Sequence, residues 1–156
     1  MHLTRFSDIG LRILMYLARE QREAPRVTIT EISTQFGLPR NHVVKITSRL
    51  ARQGWVEATR GRSGGLRLGQ AADQIRIGQV IKTLEPRDEL IDCEGIGCRL
   101  SPACTLRSLL AQGLEAFYGH LDGYTLADLV SGDTGVEIVN MHRQFLQTAV
   151  EPGVPV

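Results

Sequence analysis

The sequence has little cysteine, few aromatic residues and no long apolar run. Three of its 156 residues are cysteine and 5% are aromatic. No apolar stretch reaches the roughly 18 residues that a membrane-spanning helix needs, and the N-terminus lacks the basic and then apolar order of a signal peptide. We therefore expect a cytoplasmic protein without a membrane partner. In a reducing compartment, an odd and small number of cysteines favours metal ligands or reactive thiols over a disulfide framework.

Net charge is only +1, but the two signs are separated along the chain. Residues 1–84 carry 14 Lys and Arg against 6 Asp and Glu, whereas residues 85–156 carry 4 against 11. A chance distribution of solvated charges is one explanation. A basic surface for a polyanion in the first part of the chain is the other, and it predicts nucleic-acid binding there.

Apolar periodicity and glycine positions predict a helix-turn-helix. Residues 5–20 form a helix that is apolar almost all round, which predicts burial on more than one side, including burial against a partner chain. Thr28 begins a short second helix with capping-box spacing to Glu31, and Gly37 ends it. A third helix covers residues 40–53. Two short helices joined by a tight glycine-containing turn are typical of DNA-binding domains.

The third helix carries a basic and amide-bearing face. Its members lie at i, i+4, i+8 and i+11: Asn41, Lys45, Arg49 and Arg52. Such groups contact phosphates and read base edges in a major groove. Arg40 and His42, near the start of the helix, extend this face. A solvated charged surface is the alternative interpretation.

The segment WVEATRGRSGGLRLG predicts a β-hairpin after that helix, with a glycine-rich turn over residues 60–65. A basic hairpin directly after a recognition helix is typical of the wing in a winged helix-turn-helix, whose tip approaches phosphates or a narrow minor groove. We therefore predict that the chain binds double-stranded DNA at an operator with two half-sites. The predicted contacts are Thr28, Arg40, Asn41, His42, Lys45, Arg49, Arg52, Arg60, Arg62 and Ser63.

The predicted fold class is mainly α with a small β-hairpin wing. Residues 75–84 suggest a short strand that leads into a helix. Leucines and aromatic residues recur at helical spacing after the last cysteine and predict a long helix of about 28 Å, suited to homodimerisation. The predicted organisation is a DNA-binding domain over 1–84, a cysteine loop over 85–104, a dimerisation helix region over 105–130 and a tail of unassigned role over 131–156.

The stretch CEGIGCRLSPAC, residues 93–104, holds every cysteine at C-x4-C-x5-C spacing. A zinc site would add a histidine, yet none lies within ten residues and the paired spacings of structural zinc sites are missing. A thiol redox switch does not need three cysteines. An iron–sulfur cluster tolerates irregular loop spacings, and Gly95 and Gly97 leave N–H groups free to bond its sulfurs. The spacing favours an iron–sulfur cluster over zinc.

Three cysteines leave one position of an iron–sulfur cluster without a thiolate, since four are usual. A hard oxygen ligand would make that position labile, which suits a sensor better than an electron carrier. Spacing alone does not choose among the candidates, which are Asp92, Glu94, Asp8 and the histidines at 2, 42, 120 and 142.

The chain resembles the NsrR-type repressors, which are nitric-oxide-sensing iron–sulfur regulators with a winged helix. The resemblance covers about residues 1–130 in unbroken order. It rests on MHLTRFSDIGLRILMYLA, LPRNHVVKITSRLARQGWV, RGRSGGLRLG, IRIGQVIKTLEP, the cysteine loop with SPAC, and LDGYTLADLV. A related branch, the regulator of iron–sulfur biogenesis, has a ligating histidine three residues after its last cysteine. Arg107 occupies that position here and disfavours that branch.

The resemblance implies a cofactor, a signal and a dimer. It makes Cys93, Cys98 and Cys104 ligands of an iron–sulfur cluster, [4Fe–4S] rather than [2Fe–2S]. Asp8 matches the position that supplies an oxygen ligand from the partner subunit. The implied function is a homodimeric repressor whose cluster reacts with nitric oxide, releases DNA and derepresses detoxification genes.

Two other functions are compatible with the sequence. A regulator of the same fold would respond to iron–sulfur supply or general redox state. A cluster-bearing electron-transfer protein belongs to a different class, but no nucleotide-binding glycine loop, Ser/His/Asp arrangement or paired carboxylates accompany the cysteines. We therefore expect no enzymatic activity.

Overall fold

The computed structural model describes residues 2–19, 26–61, 64–86, 89–93, 95–100 and 103–150. Across them the chain is mainly helical and carries one antiparallel two-stranded sheet, which confirms the predicted fold class. No helix in these ranges is both long and apolar enough to span a membrane. The elements are α1 (Arg5–Ala18), α2 (Ile29–Gln35), α3 (Arg40–Arg52), β1 (Val56–Thr59), β2 (Gly65–Leu68), α4 (Ile77–Leu84), α5 (Thr105–Asp122), α6 (Leu126–Leu129) and α7 (Gly132–Val150).

Helix α1 lies at the centre of the core. Ile13, Leu14 and Tyr16 are completely buried, and the helix contacts α3, α4, α6 and β2. The hydroxyl oxygen of Thr4 caps its start by accepting a hydrogen bond from the Ser7 N–H at 3.2 Å. The sequence predicts burial of this helix on more than one side, and elements of the same chain supply much of that burial.

Helices α2 and α3 form the predicted helix-turn-helix. Thr28 caps α2 by accepting from the Glu31 N–H at 3.1 Å, and Gly37 takes a positive φ of 60° in the turn that follows. Val43, Ile46 and Leu50 are fully buried and join α3 to the core. This burial fixes which face of α3 remains in solvent.

Strands β1 and β2 pair from Val56 opposite Leu68 to Thr59 opposite Gly65. The two glycines that lead into β2 allow close backbone approach. A Cβ on Gly64 would overlap the carbonyl oxygen of Thr59, and a Cβ on Gly65 would lie 2.7 Å from the carbonyl oxygen of Val27. The hairpin is thereby held against the segment that precedes α2, where the Leu66 N–H donates to the Val27 carbonyl.

One predicted element differs in the structure, and the tail of unassigned role contains a helix. The expected short strand at residue 75 is reduced to a single bridge between Arg76 and Thr125, and helix α4 begins directly after it. Much of the tail is helical, because residues 132–150 form α7. Its buried positions are Gly135, Ile138 and His142, and the partly buried Met141 packs against the core beside them.

Candidate nucleic-acid interface and cysteine loop

The solvent face of α3 is basic and contains no carboxylate. The helix has no acidic residue, and its buried stripe directs the remaining positions outward. The exposed positions are Arg40, Asn41, Val44, Lys45, Ser48 and Arg52. Because amide and guanidinium groups stand beside small side chains, this face can approach a duplex closely and bond to phosphates and base edges.

Two residues of the predicted contact set turn away from that face. The guanidinium of Arg49 is half-buried and donates from Nη2 to the Thr83 carbonyl oxygen of α4 at 3.2 Å. The ring of His42 is half-buried and lies 6.4 Å, centroid to centroid, from Phe6 of α1. Both side chains join α3 to neighbouring helices, and a role for them at DNA stays a prediction.

The hairpin supplies basic groups beside α3. Arg60 is exposed at the end of β1, whereas Arg62 and Ser63 lie outside the described residues. Arg67 is ion-paired across the strands with Glu57, at 2.7 Å from Nε to Oε2. Arg26 donates to the hydroxyl of Thr59 at 2.9 Å and adds a guanidinium near the same strand.

A concavity of about 340 Å³ lies between α2, α3 and the hairpin. Thr28 and Thr30 line it from α2, and Val44 and Ser48 line it from α3. Arg40 donates to the Thr30 hydroxyl and spans the two helices at its edge. The sequence prediction did not include Thr30, Val44 or Ser48. Arg40, Val44 and Ser48 are spaced at i, i+4 and i+8, and that periodicity could have revealed this side of the helix.

The cysteine loop lies between α4 and α5 and is partly folded on itself. The Cys98 N–H donates to the Cys93 carbonyl oxygen at 3.1 Å, and the Asp92 carboxylate accepts from the Gly95 N–H at 2.6 Å. Cys104 is the N-cap residue of α5 without forming a side-chain cap bond there. Cys104 therefore stands at the junction between the loop and the 18-residue helix α5.

The three thiols are free and are close enough to influence one another's charge. Cys93 is buried, and Cys98 and Cys104 are half-buried. Burial raises the pKa of the Cys93 thiol; the Cys98 thiolate adds to the increase, and Arg107 opposes it. Arg107 is itself ion-paired with Glu89 at 3.1 Å.

The donor set is compatible with an iron–sulfur cluster, because three soft thiols in one loop match iron–sulfur chemistry. Within the described ranges, no three His, Cys, Asp or Glu side chains come together closely enough to hold one ion. Residues 87–88, Glu94 and residues 101–102 of this loop lie outside the described residues.

Asp8 stands apart from the cysteines within the chain. It lies in the first turn of α1, its side chain is 48% exposed, and its Oδ1 is 2.9 Å from Arg12 Nε. The part of the chain that the structure describes does not gather Asp8 and the cysteines into one group.

Helix α5 exposes the apolar side chains that the sequence predicts for dimerisation. Leu106 and Leu109 are 59% and 58% exposed, while Leu114 and Tyr118 pack inward against the core. Burying exposed leucines against a second copy removes apolar area from water, which favours association.

The chain is similar to transcriptional regulators. A family profile described as "Rrf2: Iron-dependent Transcriptional regulator" matches residues 3–132. CymR (YrzC), the global cysteine regulator of B. subtilis, is 26% identical with a TM-score of 0.64, over 83% of this chain and 95% of that one. A putative transcriptional regulator from Listeria innocua is 26% identical with a TM-score of 0.69, over 86% and 89%. IscR of T. potens, 23% identical with a TM-score of 0.65 over 83% and 86%, has the same fold.

Proposed function

Because the chain belongs to the Rrf2 family of transcriptional regulators, we propose that it is a dimeric repressor whose cysteine loop holds a nitric-oxide-sensing iron–sulfur cluster. Family membership makes the chain a DNA-binding, dimeric regulator and not an enzyme. These coarser predictions from the sequence are confirmed. The cluster, its signal and the individual contacts are the proposal.

The observation that carries the proposal is that three thiols lie in one loop, separate along the chain from the helix and hairpin predicted to face DNA. Cys93, Cys98 and Cys104 would hold the cluster with Asp8 of the partner subunit, and the resemblance favours [4Fe–4S]. When bound, the cluster supplies iron that reacts with nitric oxide. The half-exposed carboxylate of Asp8 is directed to the outside of its own chain, where a second subunit can meet it.

The packing of α1 supports a route from the cysteine loop to DNA. Phe6, two residues before Asp8, lies against His42 of the recognition helix. A displacement of the N-terminal turn of α1 would therefore shift α3 through this contact. Since two recognition helices must enter successive major grooves at a fixed separation, a small rotation of each subunit loses one half-site.

A regulator that responds to iron–sulfur supply or redox state is the second candidate. The family is described as iron-dependent, and CymR of S. aureus, 21% identical to this chain, has been solved in an oxidised form. The three free cysteines would provide the reactive thiols for such a response.

The deciding experiment combines cluster analysis with DNA binding. Anaerobically purified protein is assayed for absorbance, iron and acid-labile sulfide, and binding is followed on an operator selected from random duplexes. We expect iron and sulfide of about four per chain for [4Fe–4S], or about two for [2Fe–2S]. Stoichiometric nitric oxide should change the absorbance and release the DNA.

The other outcomes separate the candidates. Release of DNA on exposure to oxygen or on iron starvation, with no response to nitric oxide, would favour the second candidate. A colourless protein containing zinc would overturn both cluster-based functions and leave a winged-helix regulator with another signal. The variant Cys98→Ser should abolish the cluster while Arg99→Ser, at an exposed neighbouring position, should retain it.

A further inference from the structure

A buried polar contact joins the C-terminal helix to the helix-turn-helix. Tyr16 of α1 is fully buried, Glu31 of α2 is 1% exposed and His142 of α7 is 6% exposed. The Tyr16 hydroxyl donates to Glu31 Oε1 at 2.8 Å, and His142 Nδ1 lies 3.6 Å from the same oxygen. The imidazole also stacks on the Tyr16 ring, with 3.8 Å between centroids.

The chemistry of the contact fixes how His142 is held. Its Nε2 lies 2.9 Å from the backbone carbonyl oxygen of Tyr16, and a carbonyl only accepts, so Nε2 carries the proton and donates. A buried acceptor that loses its donor costs more than an exposed one, because water cannot replace the bond. The His142 side chain therefore holds α7 against the backbone of α1 while it faces a carboxylate of α2.

The start of α7 is also shaped for close packing. Gly132 begins the helix with a positive φ of 59°. A Cβ on Gly135 would overlap the Val130 carbonyl oxygen and lie 2.7 Å from the Arg19 guanidinium at the end of α1. Ile138, one turn further, is buried in the core. Gly135, Ile138 and His142 thus form a continuous face that rests on α1 and α2.

We propose that α7 contributes to DNA binding by supporting α2, and that His142 is a positioning residue for α2. Most of α7 lies beyond residue 132, where the family profile ends. Glu31 is three residues after the cap of α2, and the N-terminal turn of this helix supplies Thr28 and Thr30 to the concavity beside α3. A shift of α2 would move these residues and Arg40, which bonds to Thr30.

The test compares two substitutions of His142 in the full-length chain. His142→Leu removes the donor to the Tyr16 carbonyl, whereas His142→Gln retains an N–H donor on a side chain of similar reach. We expect His142→Leu to weaken operator binding about tenfold, the factor that corresponds to one buried hydrogen bond, and His142→Gln to retain most of the affinity. The matched control is Gln144→Leu, which introduces the same side chain at an exposed position of α7.

The readout must separate positioning from loss of folding. The single tryptophan, Trp55, is buried between α3 and the hairpin and reports unfolding of the DNA-binding unit by its fluorescence. The fraction of active protein is titrated with excess operator, and affinities are compared only at temperatures where Trp55 is native. Unchanged affinity in His142→Leu, or equal weakening in Gln144→Leu, would overturn the proposal.

A second variant keeps the test decisive where His142→Leu does not fold. Tyr16→Phe removes the hydroxyl that donates to Glu31 and keeps the ring between His142 and Phe36. We expect this variant to fold and to bind the operator more weakly than the wild type. Wild-type affinity in Tyr16→Phe, together with a His142→Leu variant that fails to fold, would make the contact purely structural and reject the positioning role.

Discussion

Asp8 and Arg12 form an ion pair one helical turn apart on the solvent-exposed side of α1, with 2.9 Å between Oδ1 and Nε. Both side chains are about half exposed, so the pair adds little to stability. The carboxylate is thus oriented without being buried. It remains accessible to a second subunit, as a ligand supplied across a dimer interface would require.

Replacement of Asp8 should change the cluster without unfolding the protein. We expect Asp8→Ala to remain a dimer and to show an altered absorbance spectrum and a changed rate of reaction with nitric oxide, because one cluster position loses its oxygen ligand. Sedimentation measurements check that the variant is a dimer, and anaerobic absorbance spectra check the state of its cluster. Arg12→Gln, which removes only the partner of the carboxylate, is the control. Wild-type spectrum and nitric-oxide response in Asp8→Ala would reject Asp8 as the fourth ligand.

The three thiols of the cluster-free protein should differ in reactivity. The thiolate is the nucleophile, and Cys93 is 5% exposed with a raised pKa caused first by burial. We expect iodoacetamide at about pH 8 to alkylate Cys98 and Cys104 before Cys93, as measured by peptide mass spectrometry over time. In urea the three rates should converge. Alkylation of Cys93 first in the folded protein would contradict this assignment.

Neutralising the basic face should weaken DNA binding and its dependence on salt. Lys45→Gln and Arg60→Gln each remove an exposed cation on the side predicted to face DNA. Each phosphate contact that is lost should reduce the slope of log affinity against log salt by about 0.9. Fluorescence anisotropy across a salt series measures the slope. Arg143→Gln, on the exposed side of α7, removes an equal charge and should leave the slope unchanged.

Two glycines should respond oppositely to alanine. In Gly64→Ala the new methyl would overlap the Thr59 carbonyl oxygen, so we expect a loss of about 1–3 kcal/mol in the free energy of unfolding and weaker DNA binding. In Gly119→Ala the methyl meets nothing within 4 Å on α5, and we expect a gain of about 0.5–1 kcal/mol. Urea unfolding monitored by circular dichroism checks both values. A neutral Gly64→Ala would mean that the hairpin turn is not constrained as described.

The cap of α6 should make stability depend on pH in the acid range. The Thr125 N–H and hydroxyl donate to Asp128 Oδ2, and these bonds, the backbone one first, lower the pKa of that carboxyl from 3.8. A carboxyl with a depressed pKa stabilises the folded state above its unfolded pKa, and the contribution disappears as pH falls through the folded value. The melting temperature of Asp128→Ala should therefore lie below that of the wild type at neutral pH. Calorimetry should show that the difference between the two melting temperatures decreases below pH 3.8. A difference that increases there would contradict the assignment.

Much of the DNA-binding unit could be predicted from local sequence features. Thr28 and Gly37 mark the ends of α2 through capping and positive φ, and the apolar period of Val43, Ile46 and Leu50 fixes the buried side of α3. These signals act within a few residues and do not depend on what the rest of the chain does. The hairpin was predictable for the same reason, because its turn requires adjacent glycines.

The sequence could not reveal where individual side chains on that unit point. Arg49 has the composition and spacing of a DNA contact, but α4 places the Thr83 carbonyl within its reach. His42 is similarly turned toward Phe6. Both outcomes depend on elements that are distant in sequence or on the crossing angle of two helices, and neither leaves a periodic signal.

The amino-acid sequence by itself determined the winged-helix class, the basic face of α3 and the grouping of the cysteines along the chain, since each follows from residue types at short spacing. Only the tertiary structure decided that α7 packs on α1 and α2. The contact joins positions 16, 31 and 142, and each of them alone resembles an ordinary polar residue of an amphipathic helix. Their shared burial, which makes an unpaired polar group costly, arises only when the three helices meet.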